Sequence, residues 1–161
     1  PLVLMQPKSL LRHKLSTSSV EDLSNGRFHE VIDDASVPDP KKVKRVVLCS
    51  GKIYYDLLDG REEEKESTIA LLRVEQLHPL PGIEIEKILD RYESAKEIFW
   101  VQEEPKNQGA LDYIKDHTSE FLPSKKRLAF IGREPSASTA VGNMQVHQAD
   151  QKRIVQEALE L

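Results

Sequence analysis

The chain of 161 residues has a single cysteine, Cys49. One cysteine cannot close an internal disulfide. Inside the apolar run Val46 to Cys49 it reads as a small core residue, which suits a reducing compartment. Long hydrophobic runs are missing as well: none approaches the roughly 18 residues of a spanning helix, so no membrane partner is expected. No charge of one sign dominates. A net charge of -4 with 31% charged residues describes an ordinary surface and makes no electrostatic case for nucleic acid. The five histidines, His13, His29, His78, His117 and His147, are scattered without a His-x-x-x-His pair, and Cys-x-x-Cys is absent, so no metal site is expected. Ser50-Gly51-Lys52 has one glycine, where a dinucleotide fingerprint needs three and a P-loop two, and there is no Gly-x-Ser-x-Gly elbow. The opening Pro1-Leu2-Val3-Leu4-Met5 carries neither a start methionine nor a leader pattern. It reads as a strand entered in mid-protein, so the chain is expected to be a piece of a larger one.

What is present is a rhythm. After the strand Leu2 to Met5, Lys8 to His13 reads as a helical turn or two, and residues 14 to 27, rich in Ser, Thr, Asn and Gly, as a connecting segment. Phe28 to Ile32 is a candidate antiparallel edge strand, stopped by the Pro- and Asp-rich loop Asp33 to Lys42. From Val43 onward strands and helices alternate. Strand Val43 to Cys49 leads to a helix from about Lys52 to Lys65, with Ile53, Tyr54, Leu57 and Leu58 on one face and Arg61 to Glu66 solvated. Strand Thr68 to Val74 runs into a proline-rich segment and a helix from about Ile83 to Tyr92, with Ile85, Ile88, Leu89 and Tyr92 at helical spacing. Ile98 to Val101 forms a third strand. The polar turn Gln102-Glu103-Glu104-Pro105-Lys106-Asn107-Gln108-Gly109 follows, then a helix burying Leu111, Ile114, Thr118, Phe121 and Leu122 up to Pro123. Arg127 to Ile131 is the fourth strand, ending at Gly132-Arg133. A loop from Glu134 to Asn143 leads to a last helix with Ile154, Val155, Ala158 and Leu159 inward. Four successive βα units predict a three-layer α/β/α sandwich around a mostly parallel five-stranded sheet.

Such a sheet gathers ligands and partners where its strands end. The groups delivered there are Ser50, Gly51 and Lys52; Glu75 and Gln76; Gln102, Glu103 and Glu104; and Gly132 and Arg133. They could bind a phosphate or move protons, or they could form an ion-pair network at a domain contact, and spacing alone does not choose. The loop with Ser136, Ser138, Thr139 and Gly142 precedes the amino end of the last helix, where it could hold an anion or simply cap. His147, near that end, fits a structural hydrogen bond better than catalysis.

Taken together, several stretches resemble one family. They are Pro7-Lys8-Ser9-Leu10-Leu11-Arg12-His13; Lys44 to Leu57 with its Ser50-Gly51-Lys52-Ile53-Tyr54-Tyr55-Asp56; and Arg73-Val74-Glu75-Gln76-Leu77-His78-Pro79-Leu80-Pro81. Gln102 to Gly109 and Gly132-Arg133-x-Pro135-Ser136-Ala137-Ser138 with His147 complete the series. In this order they resemble the carboxyl-terminal end of the 2-oxoglutarate dehydrogenase decarboxylase component, and more widely the transketolase carboxyl-terminal domain.

That resemblance implies a thiamine-diphosphate enzyme of the tricarboxylic acid cycle that decarboxylates 2-oxoglutarate and passes the succinyl group to a lipoyl-bearing succinyltransferase component. Thiamine diphosphate and magnesium would be bound upstream, with no catalytic, cofactor or metal residue in this chain. It also implies a division into residues 1–13, the tail of a preceding pyrimidine-binding domain; 14–42, a linker with an edge strand; and 43–161, the transketolase-like domain. The full-length chain would be a homodimer, cytoplasmic if bacterial and in the mitochondrial matrix if eukaryotic. Lys52, Gln76, Glu103, Glu104, Asn107, Arg133, Ser136 and His147 are the interface or regulatory-ligand candidates. Two alternatives stand beside this: a domain that binds acetyl-CoA or AMP, as in the related multifunctional 2-oxoglutarate decarboxylase, and the 2-oxoadipate dehydrogenase homologue. Where the actinobacterial branch would carry arginines, this chain has Gly82, Ile83 and Glu84, and Glu84 would repel a phosphate; Gln76 does match.

Overall fold

The computed structural model describes residues 1–62 and 68–161. Five strands form one sheet in the order β1-β3-β2-β4-β5. β2 (Arg45–Cys49), β3 (Ile69–Val74), β4 (Glu97–Pro105) and β5 (Leu128–Arg133) run parallel, and β1 (Val31–Ile32) closes one edge antiparallel to β3. All five residues of β2 are buried, because the strand lies mid-sheet with helices over both faces. Its side chains alternate accordingly. Val46 and Leu48 join Ala70, Leu72, Ile98 and Trp100 under α3 (Gly82–Arg91) and α4 (Leu111–Asp116). Val47 and Cys49 join Ile69, Leu71, Val101 and Ile131 under α2 (Ile53–Gly60) and α5 (Met144–Leu159). The result is the expected α/β/α sandwich with its antiparallel edge strand.

Helix ends follow local chemistry. α5 begins where the Asn143 side chain accepts the Gln145 and Val146 amides, so Asn143 caps it and the serines before it do not. α3 starts immediately after Pro79 and Pro81, as a proline-rich entry requires.

Several expectations are corrected. Leu2 to Met5 is not a strand: these residues are 66% to 92% exposed and have no partner strand among the described residues. The connecting segment contains a short helix, α1 (Val20–Asn25), held by a reciprocal capping box between Ser19 and Asp22. The edge strand narrows to Val31–Ile32, and Phe28 is exposed. α2 stops at Gly60; the rest of the expected helix, from residue 63, lies outside the described residues.

Arg61, expected in solvent, is 7% exposed. It ion-pairs with Asp34 and donates to the Ile69 carbonyl at 3.0 Å and to the Ser36 hydroxyl at 2.7 Å, while the Leu71 amide donates to Asp34 at 2.9 Å. Burial is the largest single influence on the Asp34 carboxyl and pushes its pKa up. The hydrogen bonds from Arg61, Ser36 and the Leu71 amide together outweigh burial and hold it below the usual carboxylate range. Neighbouring Asp33 is bound by Arg91 and by the Tyr92 hydroxyl, so this loop is clasped to the edge of the sheet and to the end of α3.

Candidate functional site

The stretch expected to turn at Gln102 remains strand through Pro105. Between the Val101–Ile131 and Pro105–Arg133 pairs, β4 uses four steps against two of β5, a bulge that carries the polar residues past the end of the shorter strands. The chain turns only at Lys106–Gly109, where Gly109 takes φ 71°.

Gln102 organises the underside of that turn. It is 3% exposed, accepts the Trp100 indole N–H at 2.9 Å and donates to the Pro105 and Gln108 carbonyls at 3.2 and 2.7 Å. A Cβ on Gly109 would meet the Gln102 amide nitrogen at 2.8 Å, so the glycine is needed both for its backbone angle and for this close approach.

On the face toward α2 and α5, Lys52 lies between Asp56 at 2.6 Å and Glu103 at 3.0 Å, and Gln151 donates to the same Asp56 oxygen at 2.6 Å. Burial works against the Lys52 charge; the two carboxylates outweigh it and hold its pKa above the ordinary lysine value. Arg133 donates to the Glu103 carbonyl and to the Thr139 carbonyl, each at 2.6 Å. Asn107 and Ser136 exchange two hydrogen bonds of 3.0 Å, which ties the turn after β4 to the loop after β5. The fold therefore gathers Lys52, Glu103, Asn107, Arg133 and Ser136 into neighbouring links across these strand ends, each satisfied by another part of the chain.

The other three candidates stand apart. Gln76 donates to the Pro79 carbonyl at 2.8 Å and stiffens its own loop. His147 is half-buried and lines a groove between α2, α5 and the Ser9–His13 segment, together with Lys52. Glu104 is exposed and points into a cavity on the α3–α4 side of the sheet.

That cavity, of about 570 Å³, is lined by Ser50 and Gly51 after β2, Leu77 and His78 after β3, Trp100, Gln102 and Glu104 of β4, Gly109 and Ala110 just ahead of α4, and Tyr113 of α4. Tyr113 and His78 close one side: the tyrosine hydroxyl meets His78 Nδ1 at 3.0 Å, and the tyrosine ring lies 4.1 Å from that of His117. Trp100, Tyr113 and His78 were not among the candidates. Their signal was indirect, since all three sit on or directly after carboxyl-end segments, but only folding brings four separate segments together. No group of three or more His, Cys, Asp or Glu residues suited to a metal ion occurs among the described residues. Cys49 is inert, its thiol pushed up to about 12 by burial.

The 2-oxoglutarate dehydrogenase C-terminal family matches residues 17–159. The chain is 47% identical over 161 residues to oxoglutarate dehydrogenase of Buchnera aphidicola, spanning 100% of this chain and 18% of that protein. It is 46% identical over 159 residues to the 2-oxoglutarate dehydrogenase E1 component of Haemophilus influenzae, covering 99% of this chain and 17% of the relative. The E1/E2 component of Corynebacterium glutamicum is 40% identical over 161 residues, 99% of this chain and 13% of its own length. The chain thus spans less than a fifth of each of these relatives.

Proposed function

Because the chain belongs to the 2-oxoglutarate dehydrogenase C-terminal family, we propose that it is the C-terminal domain of a thiamine-diphosphate-dependent 2-oxoglutarate dehydrogenase. The whole enzyme would decarboxylate 2-oxoglutarate oxidatively and hand the succinyl group to a lipoyl-bearing succinyltransferase. The observation that carries this reading is sequence identity of 40% to 47% sustained along virtually the entire chain. In the enzyme this domain contributes to a homodimer and to partner docking and performs no chemistry of its own. Its internal links support that role. A general acid or base must be at liberty to exchange a proton with substrate, whereas Lys52 and Arg133 are each committed to two acceptors within the domain.

Thiamine diphosphate and magnesium do not fit the described residues. No group of three or more His, Cys, Asp or Glu side chains that could hold a metal ion occurs among them, and the carboxyl-edge cavity offers a diphosphate one carboxylate and no lysine or arginine. Both would be held by the part of the enzyme outside this chain. The same lining argues against acetyl-CoA or AMP in that cavity. A 2-oxoadipate enzyme would keep this architecture, but the relatives reported above all carry 2-oxoglutarate names.

The boundaries we propose are residues 1–13 as the end of a preceding pyrimidine-binding domain, 14–42 as a linker that supplies the edge strand, and 43–161 as the domain proper. The four exposed apolar side chains Leu2 to Met5 support the first of these, since a strand needs neighbours that are absent among the described residues. Among the interface candidates, Glu104 and His147 are best disposed to meet a partner, because the others are engaged within the chain. By analogy with its bacterial relatives the enzyme would work in the cytoplasm, or in the mitochondrial matrix if it is eukaryotic; no helix among the described residues is long and apolar enough to cross a membrane. The isolated chain, assayed with thiamine diphosphate, magnesium and 2-oxoglutarate, is expected to release no carbon dioxide above background. Measurable turnover would refute the division of labour.

A further inference from the structure

We infer that the carboxyl-edge cavity is a binding site for a small organic cation carried on a flat, apolar body. Its volume of about 570 Å³ lies in the range of small-molecule sites. Leu77, Trp100, Ala110 and Tyr113 give it apolar and aromatic walls, and the one charged side chain among its lining residues is Glu104.

Two of the polar side chains that line it are already engaged within the chain. Gln102 spends its amide on Trp100, Pro105 and Gln108, and His78 Nδ1 is held by the Tyr113 hydroxyl. Cations near this edge of the sheet are engaged elsewhere: Lys52 by Asp56 and Glu103, Arg73 by Glu75 at 2.9 Å, and Arg133 by two carbonyls. Lys106, two residues beyond Glu104, is exposed and not part of the lining. Among the described residues no cation pairs with Glu104. Gly51, one of the lining residues, takes φ 73° and borders open space, since an added Cβ would meet nothing within 4 Å.

An anion entering this space would meet a carboxylate and no counter-charge. A neutral polar ligand would leave its water for few new hydrogen bonds. An amidinium or ammonium gains the Glu104 charge and, over aromatic faces, the attraction of a cation for the ring quadrupole. This inference does not depend on the reaction of the longer enzyme.

The test uses three probes of nearly one shape and different charge: benzamidinium, benzamide and benzoate. Trp100 is the only tryptophan of the chain, so its indole N–H resonance reports from the cavity floor. Benzamidinium is expected to shift that resonance saturably, benzamide to bind at least about tenfold more weakly, and benzoate not to bind. In Glu104→Gln the affinity for benzamidinium should fall at least about tenfold while the melting temperature holds. No saturable shift with benzamidinium, equal affinity for the three probes, tighter binding of benzoate or AMP, or undiminished affinity in Glu104→Gln would each overturn the assignment. Should the variant fail to fold, the charge series on the unmodified chain decides by itself.

Discussion

At the scale of single residues, the Asp34–Arg61 pair is the most deeply buried ion pair among the described residues. The two side chains are 7% and 1% exposed, so removing one charge leaves the other buried without its counter-ion. Asp34→Asn is expected to cost about 3–5 kcal/mol in urea unfolding. The pair also sets an acid limit. A carboxyl whose folded pKa lies below its unfolded value stabilises the fold above roughly pH 3.9 and loses that contribution as pH falls through the folded value. The stability of Asp34→Asn should therefore decline less steeply below about pH 4 than that of the unmodified chain, and parallel slopes would contradict this account. Cys49 makes a second expectation at this scale. With its thiol pushed up to about 12 by burial, native protein should react with a thiol reagent only as fast as it opens, and unfolded protein immediately. Neither behaviour was fully open to inspection in the sequence. Cys49 was readable from its apolar neighbours, but Arg61 heads a run of acids, and nothing local points to a partner 27 residues earlier.

Among the elements, β4 shows where local pattern and tertiary pairing part company. Gln-Glu-Glu-Pro has the composition of a turn, and β propensity alone would end the strand at Val101. Pairing of Pro105 with Arg133 at the end of the shorter β5 keeps it extended, and the bulge absorbs the extra residues of β4. Pro105 is tolerated near the end of the ladder, where its missing N–H costs little. The turn beyond depends on Gly109. Gly109→Ala must accept φ 71° and displace the Gln102 amide, so it is expected to destabilise by about 1–3 kcal/mol and to move the Trp100 emission maximum as the indole loses its acceptor. An unchanged emission spectrum would show that Gln102 can adjust without loosening Trp100. The central strands and the long helices were legible because each shows its burial as a run or a stripe. The edge strand was legible too, though it narrows to Val31–Ile32, while the short helix α1 was obscured by polar sequence, with a capping box at Ser19 and Asp22 its only local cue.

For the whole molecule, the sandwich and its parallel sheet could be read in advance, since four strand–helix alternations admit few other economical packings. The carboxyl-edge cavity could not, because its walls come from four segments whose approach is a property of the sheet order. The same scale separates the amino-terminal stretch from the body of the domain. Deleting residues 1–13 should shift the melting temperature by no more than about 4 °C, since Leu2 to Met5 are mostly exposed and Ser9 to His13 only border an open groove, whereas deleting 1–42 removes β1 and Asp34 and should lower it by more than about 10 °C. Equal shifts would dissolve the proposed boundary at residue 13. Mechanically, the clasp at Asp33 and Asp34 makes the entering chain a tether with two fasteners in series. A pull on the amino end would load the two-residue ladder of β1 and the ion pairs of Asp33 and Asp34, both of which bear on β3 and the end of α3 rather than on the central strand β2. Force on the entering chain is thereby expected to fall first on one edge of the sheet, where β1 and the clasp are anchored.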